Sequence, residues 1–335
     1  MKKKINRVCM PCSMYCLTFY LLMTPKDEIL NTFFFMAPTI PSNLRKKFKY
    51  YTYLDFDNSI FFKNKYLLSL YMLIKRKVSW KFLFSSEIYG LDFYWFLLRG
   101  LKMNYIEDAP FVFDIWETST LYKNWQAYKK ENIIKRTAKK IIFGEYYLNY
   151  VGTSSGVKKI FASSPVSKSY YENKQIEIVN LRDAWYNSDQ EKKNYILSVF
   201  DITNNDLYQM KSRDTIILTQ PMYADSIMSK EEQIDVYRQM IKKYGEHNCI
   251  IKSHPRDLID YQSIFPDTLC FNKAIPMQLF AIMGISFKKI ATVNSSAALS
   301  FGKDANIDWW AEVLDYPRIT DSGVKTLKEA KELFK

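Results

Sequence analysis

Short apolar runs alternate with amphipathic stretches through the second half of this chain. The run TIIL in "DTIILTQP" predicts a strand that enters a turn, because Pro221 has no N–H with which to continue a ladder. "SKEEQIDVYRQMIKKYG" predicts a helix. Ser229 and Glu232 stand at capping-box spacing, Ile234, Tyr237, Ile241 and Tyr244 recur on one face, and Gly245 supplies a stop. "NCIIK" and "KKIATVN" predict two more strands, and "SSAALSF" a helix start. Strand and helix in alternation predict a parallel sheet with helices on both faces. Ligands of such sheets bind beyond the carboxyl ends of the strands.

The first half is richer in aromatics and lysine but alternates in the same way. A strand ending near Cys9 precedes a turn and a buried helix. A second strand spans 31–36 and stops at "APTIPSN". The run "LKMNYIEDAP" is strand-like and ends in Glu107 and Asp108. A polar helical pattern covers 121–140, and a loop with Gly144, Gly152 and Gly156 follows. The polar stretch 201–213 is the expected boundary, which gives domains 1–205 and 206–335. A basic helix over 63–77 has two readings. It buries Leu67, Leu70, Tyr71 and Ile74 and solvates Lys63, Lys65, Lys75, Arg76 and Lys77, or it docks on an anionic inner leaflet.

Composition narrows the class. The 335 residues are 48% hydrophobic and 25% charged, which suits a globular chain of about two domains. A net charge of +13 favours anionic partners. Nucleic acid is not expected among them, since no binding signature accompanies the basic runs. Cys9, Cys12 and Cys16 have no histidine nearby, and Cys249 and Cys270 lie far off, so buried thiols in a reducing cytosol are expected rather than a zinc site. The apolar part of the N-terminal segment, 16–23, is too short to span a bilayer and no small-residue cleavage site follows it. A cytoplasmic protein is expected, with peripheral attachment to the inner membrane face as a further option. There is no GxGxxG and no Walker loop, and only 9 glycines, so no cofactor is expected. The one DxD turn, Asp55 and Asp57 in "LDFDN", would suit a metal-dependent transferase, but none is expected.

Three polar turns carry the candidate chemistry. "TQPMYAD", "KSHPRD" and "VNSSA" each follow a predicted strand, so they gather on one rim of the second domain. His254, one of only 2 histidines, lies at that rim. A side chain that titrates near neutral pH there can serve a departing phosphate. Ser295 and Ser296 stand where the N–H groups of a helix start are unpaired; taken alone they suit plain N-capping first and a phosphate cradle second. Lys252 and Arg256 either solvate the surface or make the rim positive.

The stretch "ILTQPMYADSIMSKEEQIDVYRQMIKKYG…IIKSHPRDLIDY", with "IPMQLF" and "FKKIATVNSSAALSFG", resembles the C-terminal half of the bacterial sialyltransferases of glycosyltransferase family 52, which act on lipooligosaccharide or capsule. The resemblance is dense over 215–302 and thinner at "RVCMPCSMYCLTFYLL" and "YIEDAP". It implies a GT-B fold of two Rossmann-like domains facing across a cleft, an inverting and metal-independent transfer, and CMP-sialic acid as donor. The second domain would hold the donor through Gln220, Pro221, Lys252, Pro255, Arg256, Gln278, Ser295 and Ser296. His254 would act on the leaving phosphate, and Asp225 or Asp108 would be the base, with Asp225 slightly favoured. The partners implied are a nucleotide-sugar donor and a lipid-linked glycan acceptor; a homodimer is left open. The chain departs from the family pattern at Ala109, at Ser226 where glycine is expected, and at Gln278 where glutamate is. Those departures keep two alternatives open: another nucleotide sugar, or a non-catalytic glycan- or nucleotide-binding protein on the same fold.

Overall fold

The computed structural model describes residues 5–54, 64–110, 112–273, 275–302, 304–322 and 324–333. Asp55, Asp57 and Lys63 lie outside them. The chain divides into two compact units, Met1–Ile196 and Leu197–Lys335, against the 205/206 boundary of the sequence reading. The polar stretch 201–213 carries a helix, Asn204–Lys211, started by a capping box of Thr203 and Asp206. Asp206 also pairs with Lys273.

The first unit is built on seven parallel strands: β1 (Arg7–Met10), β2 (Thr32–Met36), β3 (Tyr51–Tyr53), β4 (Glu87–Gly90), β5 (Met103–Ile106), β6 (Val157–Ala162) and β7 (Gln175–Ile178). Their order is β3-β2-β1-β4-β5-β6-β7, so the chain reverses direction of travel at β1 and β4. The central strands RVCM and TFFFM are nearly all apolar because both faces of the sheet are covered. The helix Met14–Met23 after β1 buries every residue from Tyr15 to Leu22. It is capped by Ser13, whose Oγ accepts the Cys16 N–H at 3.0 Å. Gly90 ends β4 at φ 127°, and a Cβ there would lie 2.4 Å from the Met10 carbonyl oxygen. Glycine is therefore what lets β4 lie against β1 at the point of reversal.

The helical pattern over 121–140 resolves into two helices, Thr120–Lys130 and Ile133–Phe143. Glu131 turns extended between them, and Asn132 caps the second by accepting the Ile134 N–H at 2.8 Å. The basic helix Lys65–Val78 is turned opposite to the burial expected of it. It buries Leu68, Ser69, Met72 and Arg76, while Leu67, Leu70, Tyr71 and Ile74 face solvent. Polar contacts set that rotation: the Arg76 guanidinium donates to the carbonyls of Leu97 and Arg99 at 2.6 and 2.7 Å, and Ser69 Oγ donates to that of Ile142 at 3.0 Å.

The second unit has five parallel strands: β8 (Thr215–Leu218), β9 (Cys249–Lys252), β10 (Leu269–Phe271), β11 (Lys289–Thr292) and β12 (Ile307–Trp309). They run in the order β10-β9-β8-β11-β12, with the reversal between β8 and β11. The helix Lys230–Tyr244 has its capping box in full, Ser229 and Glu232 bonding each other's main chain at 2.7 and 3.1 Å. Its buried face is Val236, Tyr237, Met240 and Ile241, with Ile234 and Tyr244 at the margins. That face packs with Ile217, Ile251, Ala291 and Trp309 of the sheet. Among the described residues no helix is long and apolar enough to cross a membrane.

Candidate active site

In the second unit, the expected turns leave the carboxyl ends of three neighbouring strands, β9, β8 and β11. They are tied together. Thr219 N–H donates to the Lys252 carbonyl at 3.1 Å, and Gln220 Nε2 donates to Asn294 Oδ1 at 3.3 Å across the β8–β11 reversal. Pro221 is buried behind this contact and Pro255 is exposed at the tip of its turn. Strand ends flanking such a reversal are where open α/β sheets bind ligands.

A polar relay holds His254. Its N–H donates to Thr219 Oγ1 at 2.9 Å, and Thr219 Oγ1 in turn donates to Asp257 Oδ2 at 2.7 Å. Asp257 also accepts from Tyr261 at 3.0 Å and from Gln233 at 3.2 Å. The Arg256 N–H donates to His254 Nδ1 at 3.1 Å, which places the ring proton on Nε2. Burial, with Arg256 and Lys252 nearby, pushes the imidazole down to about 4 against the opposing pull of Asp225. The side chain is thus neutral near pH 7, with its ring proton on Nε2.

Lys252 is not on the rim. It is 5% exposed, and its Nζ donates to the Ser253 carbonyl at 2.8 Å. Burial pulls the ammonium down to about 8. A cation held with so little water favours an anion beside it. Arg256 is exposed but engaged: its guanidinium forks onto the Asp225 carboxylate at 2.6 and 3.0 Å. Ser226, next in the chain, adopts φ 56°, the left-handed region that glycine takes at least cost. Ala109 is not among the residues of positive φ, so the same kind of departure brings no strain there.

Ser295 ends the β11 turn and is buried; Ser296 is exposed and opens the short 3₁₀ helix Ser296–Phe301. The Ser295 hydroxyl does not cap that helix, so capping does not account for it. Gln278 lies half-buried on the helix Met277–Ile282, which packs against Ser296–Phe301.

Asp108 belongs to the first unit. There a cavity of about 860 Å³ opens at the carboxyl ends of β1, β2, β4 and β5. Its wall is largely aromatic and aliphatic, with Tyr94, Trp95, Phe96, Trp116 and Tyr150 among the rings and Asp92 and Asp108 among the few polar groups. The two acids after β5 part company. Glu107 is fully buried and accepts the Ser163 N–H beyond β6. Asp108 faces the cavity, its main-chain carbonyl held by Ser13 Oγ at 2.8 Å. Its Oδ1 is buried and has no hydrogen-bond partner among the described residues. Burial raises the carboxyl above the usual carboxylate range.

Asp92, Thr219 and Asp257 were not singled out from sequence. Asp92 follows β4, whose run "EIYG" is too short to announce a strand. Its oxygens accept the N–H groups of Val151 and Gly152 at 3.1 and 2.7 Å, and burial lifts it to about 7. Val151 and Gly152 both have positive φ, so Asp92 holds the turn that closes one side of the cavity. Thr219 and Asp257 lie inside the quoted turns, but only the fold shows that they position His254. Cys12 also lines the cavity, its thiol pushed up to about 12 by burial. All five cysteines are free thiols. Among the described residues no cluster of His, Cys, Asp or Glu could hold a metal ion.

Comparison with known proteins agrees with this architecture. The chain is similar in fold to a sialyltransferase from Photobacterium damselae in its GT-B domain, with a TM-score of 0.53 at 11% identity, over 90% of this chain and 89% of that one. It is similar to the α/β-galactoside α-2,3-sialyltransferase of Photobacterium phosphoreum, with a TM-score of 0.50 at 10% identity and the same coverage of 90% and 89%. In sequence it is 27% identical over 234 residues to an uncharacterised protein of Haemophilus influenzae, 70% of each chain. Residues 18–311 match Glycosyltransferase family 52. That span takes in strands β2 to β12 and all three turns, and the chain therefore belongs to glycosyltransferase family 52 and is a glycosyltransferase.

Proposed function

We propose that the enzyme moves sialic acid from CMP-sialic acid to a sugar hydroxyl of a surface glycan, lipooligosaccharide or capsule, by an inverting displacement that needs no metal. The observation that carries this reading is the β9 turn, where a neutral imidazole with its proton on Nε2 stands with a buried ammonium beside β8, the strand that borders the sheet reversal. The acceptor hydroxyl gives its proton to a carboxylate, and its oxygen bonds to the anomeric carbon. The bond from that carbon to the phosphate oxygen breaks with its electron pair, and CMP leaves. A phosphate monoester takes its second proton near pH ~6. Near neutral pH the leaving group therefore needs charge stabilisation more than a proton, which suits His254 as donor and Lys252 as cation.

For the base we assign Asp108. Its Oδ1 is unpartnered in an apolar cavity and its carboxyl is raised by burial, both of which favour accepting a proton. Asp225 is held in a fork with Arg256 and is assigned to orient that side chain toward the donor. Gln220, Pro221, Pro255, Gln278, Ser295 and Ser296 line the proposed donor site. The aromatic cavity suits the C–H faces of an acceptor sugar, which we propose is lipid-linked. Gln278, in place of a glutamate that would accept from ribose hydroxyls, favours another nucleotide sugar as the second reading. A donor screen that measures nucleotide release in excess EDTA, with and without galactosides, tests both. CMP release from CMP-sialic acid, raised by a galactoside, is expected. Release from a UDP-sugar alone, or activity lost to EDTA and restored by manganese, overturns the assignment.

A further inference from the structure

We infer that Val151 is a specificity-determining residue of the first unit's cavity and that Asp92 is the positioning residue that holds it there. The inference rests on the reading of that cavity as the acceptor site. Among the described residues four other than glycine have positive φ, and Val151, at 51°, is the β-branched one. A branched Cβ is the side chain least at ease in the left-handed region, where it crowds the main chain. Glycine would take the same φ at least cost. Yet the valine is 8% exposed and lines the cavity next to Tyr150. Strain of this kind persists only where the surroundings over-determine it, and it gathers at ligand sites.

Distant elements hold this turn from both sides. Asp92, 3% exposed, accepts the Val151 N–H on Oδ1 at 3.1 Å and the Gly152 N–H on Oδ2 at 2.7 Å. The Tyr171 hydroxyl, from beyond β6, donates to the Val151 carbonyl at 2.6 Å. Both main-chain polar groups of Val151 are therefore tied to buried side chains remote in sequence. Tyr171 is itself fixed, with its ring edge-on to Phe113 at 5.5 Å. Gly152 follows at φ 78°, where a Cβ would crowd Ile160 Cδ1 at 2.9 Å. Lys174 Nζ donates to the Ser154 carbonyl and secures the far end of the same loop. One strained residue is thus over-determined, and the surface it fixes is cavity wall. Both Asp92 oxygens are engaged by the turn, so its part in transfer is to position and not to accept a proton.

The test reads the turn and the transfer separately. Amide hydrogen exchange over 148–156 is measured on the parent chain, Asp92→Asn, Tyr171→Phe and Val151→Gly. Initial rates with CMP-sialic acid are measured on the same proteins, with methyl β-galactoside and with its 2-acetamido counterpart as acceptors. Asp92→Asn keeps the size of the side chain but leaves one of the two N–H groups without an acceptor. It should speed exchange and raise acceptor KM by about tenfold, while donor KM changes by less than about twofold. Val151→Gly should shift the ratio of kcat/KM between the two acceptors by about tenfold or more. Circular dichroism confirms folding. Should Asp92→Asn unfold, Tyr171→Phe, which keeps the ring and loses its bond to Val151, carries the same expectations. An unchanged acceptor ratio in Val151→Gly overturns the specificity role. Exchange that neither Asp92→Asn nor Tyr171→Phe moves, or donor and acceptor KM rising together, overturns the positioning role. A parent chain that transfers to neither glycoside overturns the acceptor reading and Val151's role with it, whereas the exchange rates still report whether Asp92 holds the turn.

Discussion

Two carboxylates that look equivalent in a sequence are distinguished by what surrounds each oxygen. Asp225 has both oxygens on one guanidinium, whereas Asp108 keeps Oδ1 buried and unpartnered. Asp108→Asn is therefore expected to lower turnover by about 10² to 10⁴, the usual worth of a general base. The acidic limb of the pH–rate profile should disappear with it. In the parent enzyme that limb should lie above the usual carboxylate range, because burial raises Asp108 and the base must be ionised to act. Asp225→Asn should instead raise the KM for donor at nearly unchanged turnover, through loosened Arg256. The reverse pattern would return the base to Asp225. Ser226 gives a stability prediction at the same turn. A non-glycine residue in the left-handed region costs about 1 kcal/mol, so Ser226→Gly should raise the melting temperature by a few degrees at unchanged fold. A lower melting temperature would mean that the hydroxyl contributes more than the backbone strain costs.

Elements here are short, and their packing depends on close approach at the reversals. Gly90 is the clearest case, since a methyl group would meet the Met10 main chain of the neighbouring strand. Gly90→Ala combines that clash with a strained φ, and should cost at least ~2–3 kcal/mol by chemical denaturation. If β1 and β4 part to admit the methyl group, the walls formed by Cys12 and Asp92 shift with them, and acceptor KM should rise more than donor KM. A fully stable Gly90→Ala protein would show that the strand contact relaxes freely. Strands β3, β4, β6, β7, β10 and β12 escaped the sequence pattern, because their runs are short or lie at sheet edges. Edge runs such as QIEI are largely solvent-exposed and carry little apolar signal. The central runs TIIL and CIIK are covered on both faces and were legible at once.

At the scale of the whole molecule, ligand binding to the folded chain adds to stability by mass action. CMP at about 100 times its dissociation constant should contribute about 2.7 kcal/mol. Lys252→Met separates the site from the scaffold. Replacing a buried ammonium by an apolar chain of similar length is expected to leave the unliganded melting temperature unchanged or higher. The same change should shrink the CMP-induced shift, as measured by calorimetry on both proteins. A CMP shift that survives in Lys252→Met would remove this lysine from the proposed donor site.

The amino-acid sequence by itself determined the parallel α/β class and the three polar turns that follow strands of the second unit. These are local facts, since periodicity, capping residues and turn chemistry act over a few neighbouring positions. It also carried the family, through residues concentrated in those same turns. Only the tertiary structure decided which atoms are available. The His254 ring proton is placed by the main chain of Arg256, and burial leaves Lys252 scarcely hydrated and pulls its ammonium down to about 8. The direction in which the helix Lys65–Val78 faces was likewise beyond its own pattern. Carbonyls of Leu97, Arg99 and Ile142, distant in sequence, hold Arg76 and Ser69 inward, and that contact turns the leucines out. Burial and hydrogen bonding between distant segments set protonation and orientation, and neither is a property of a short stretch of chain.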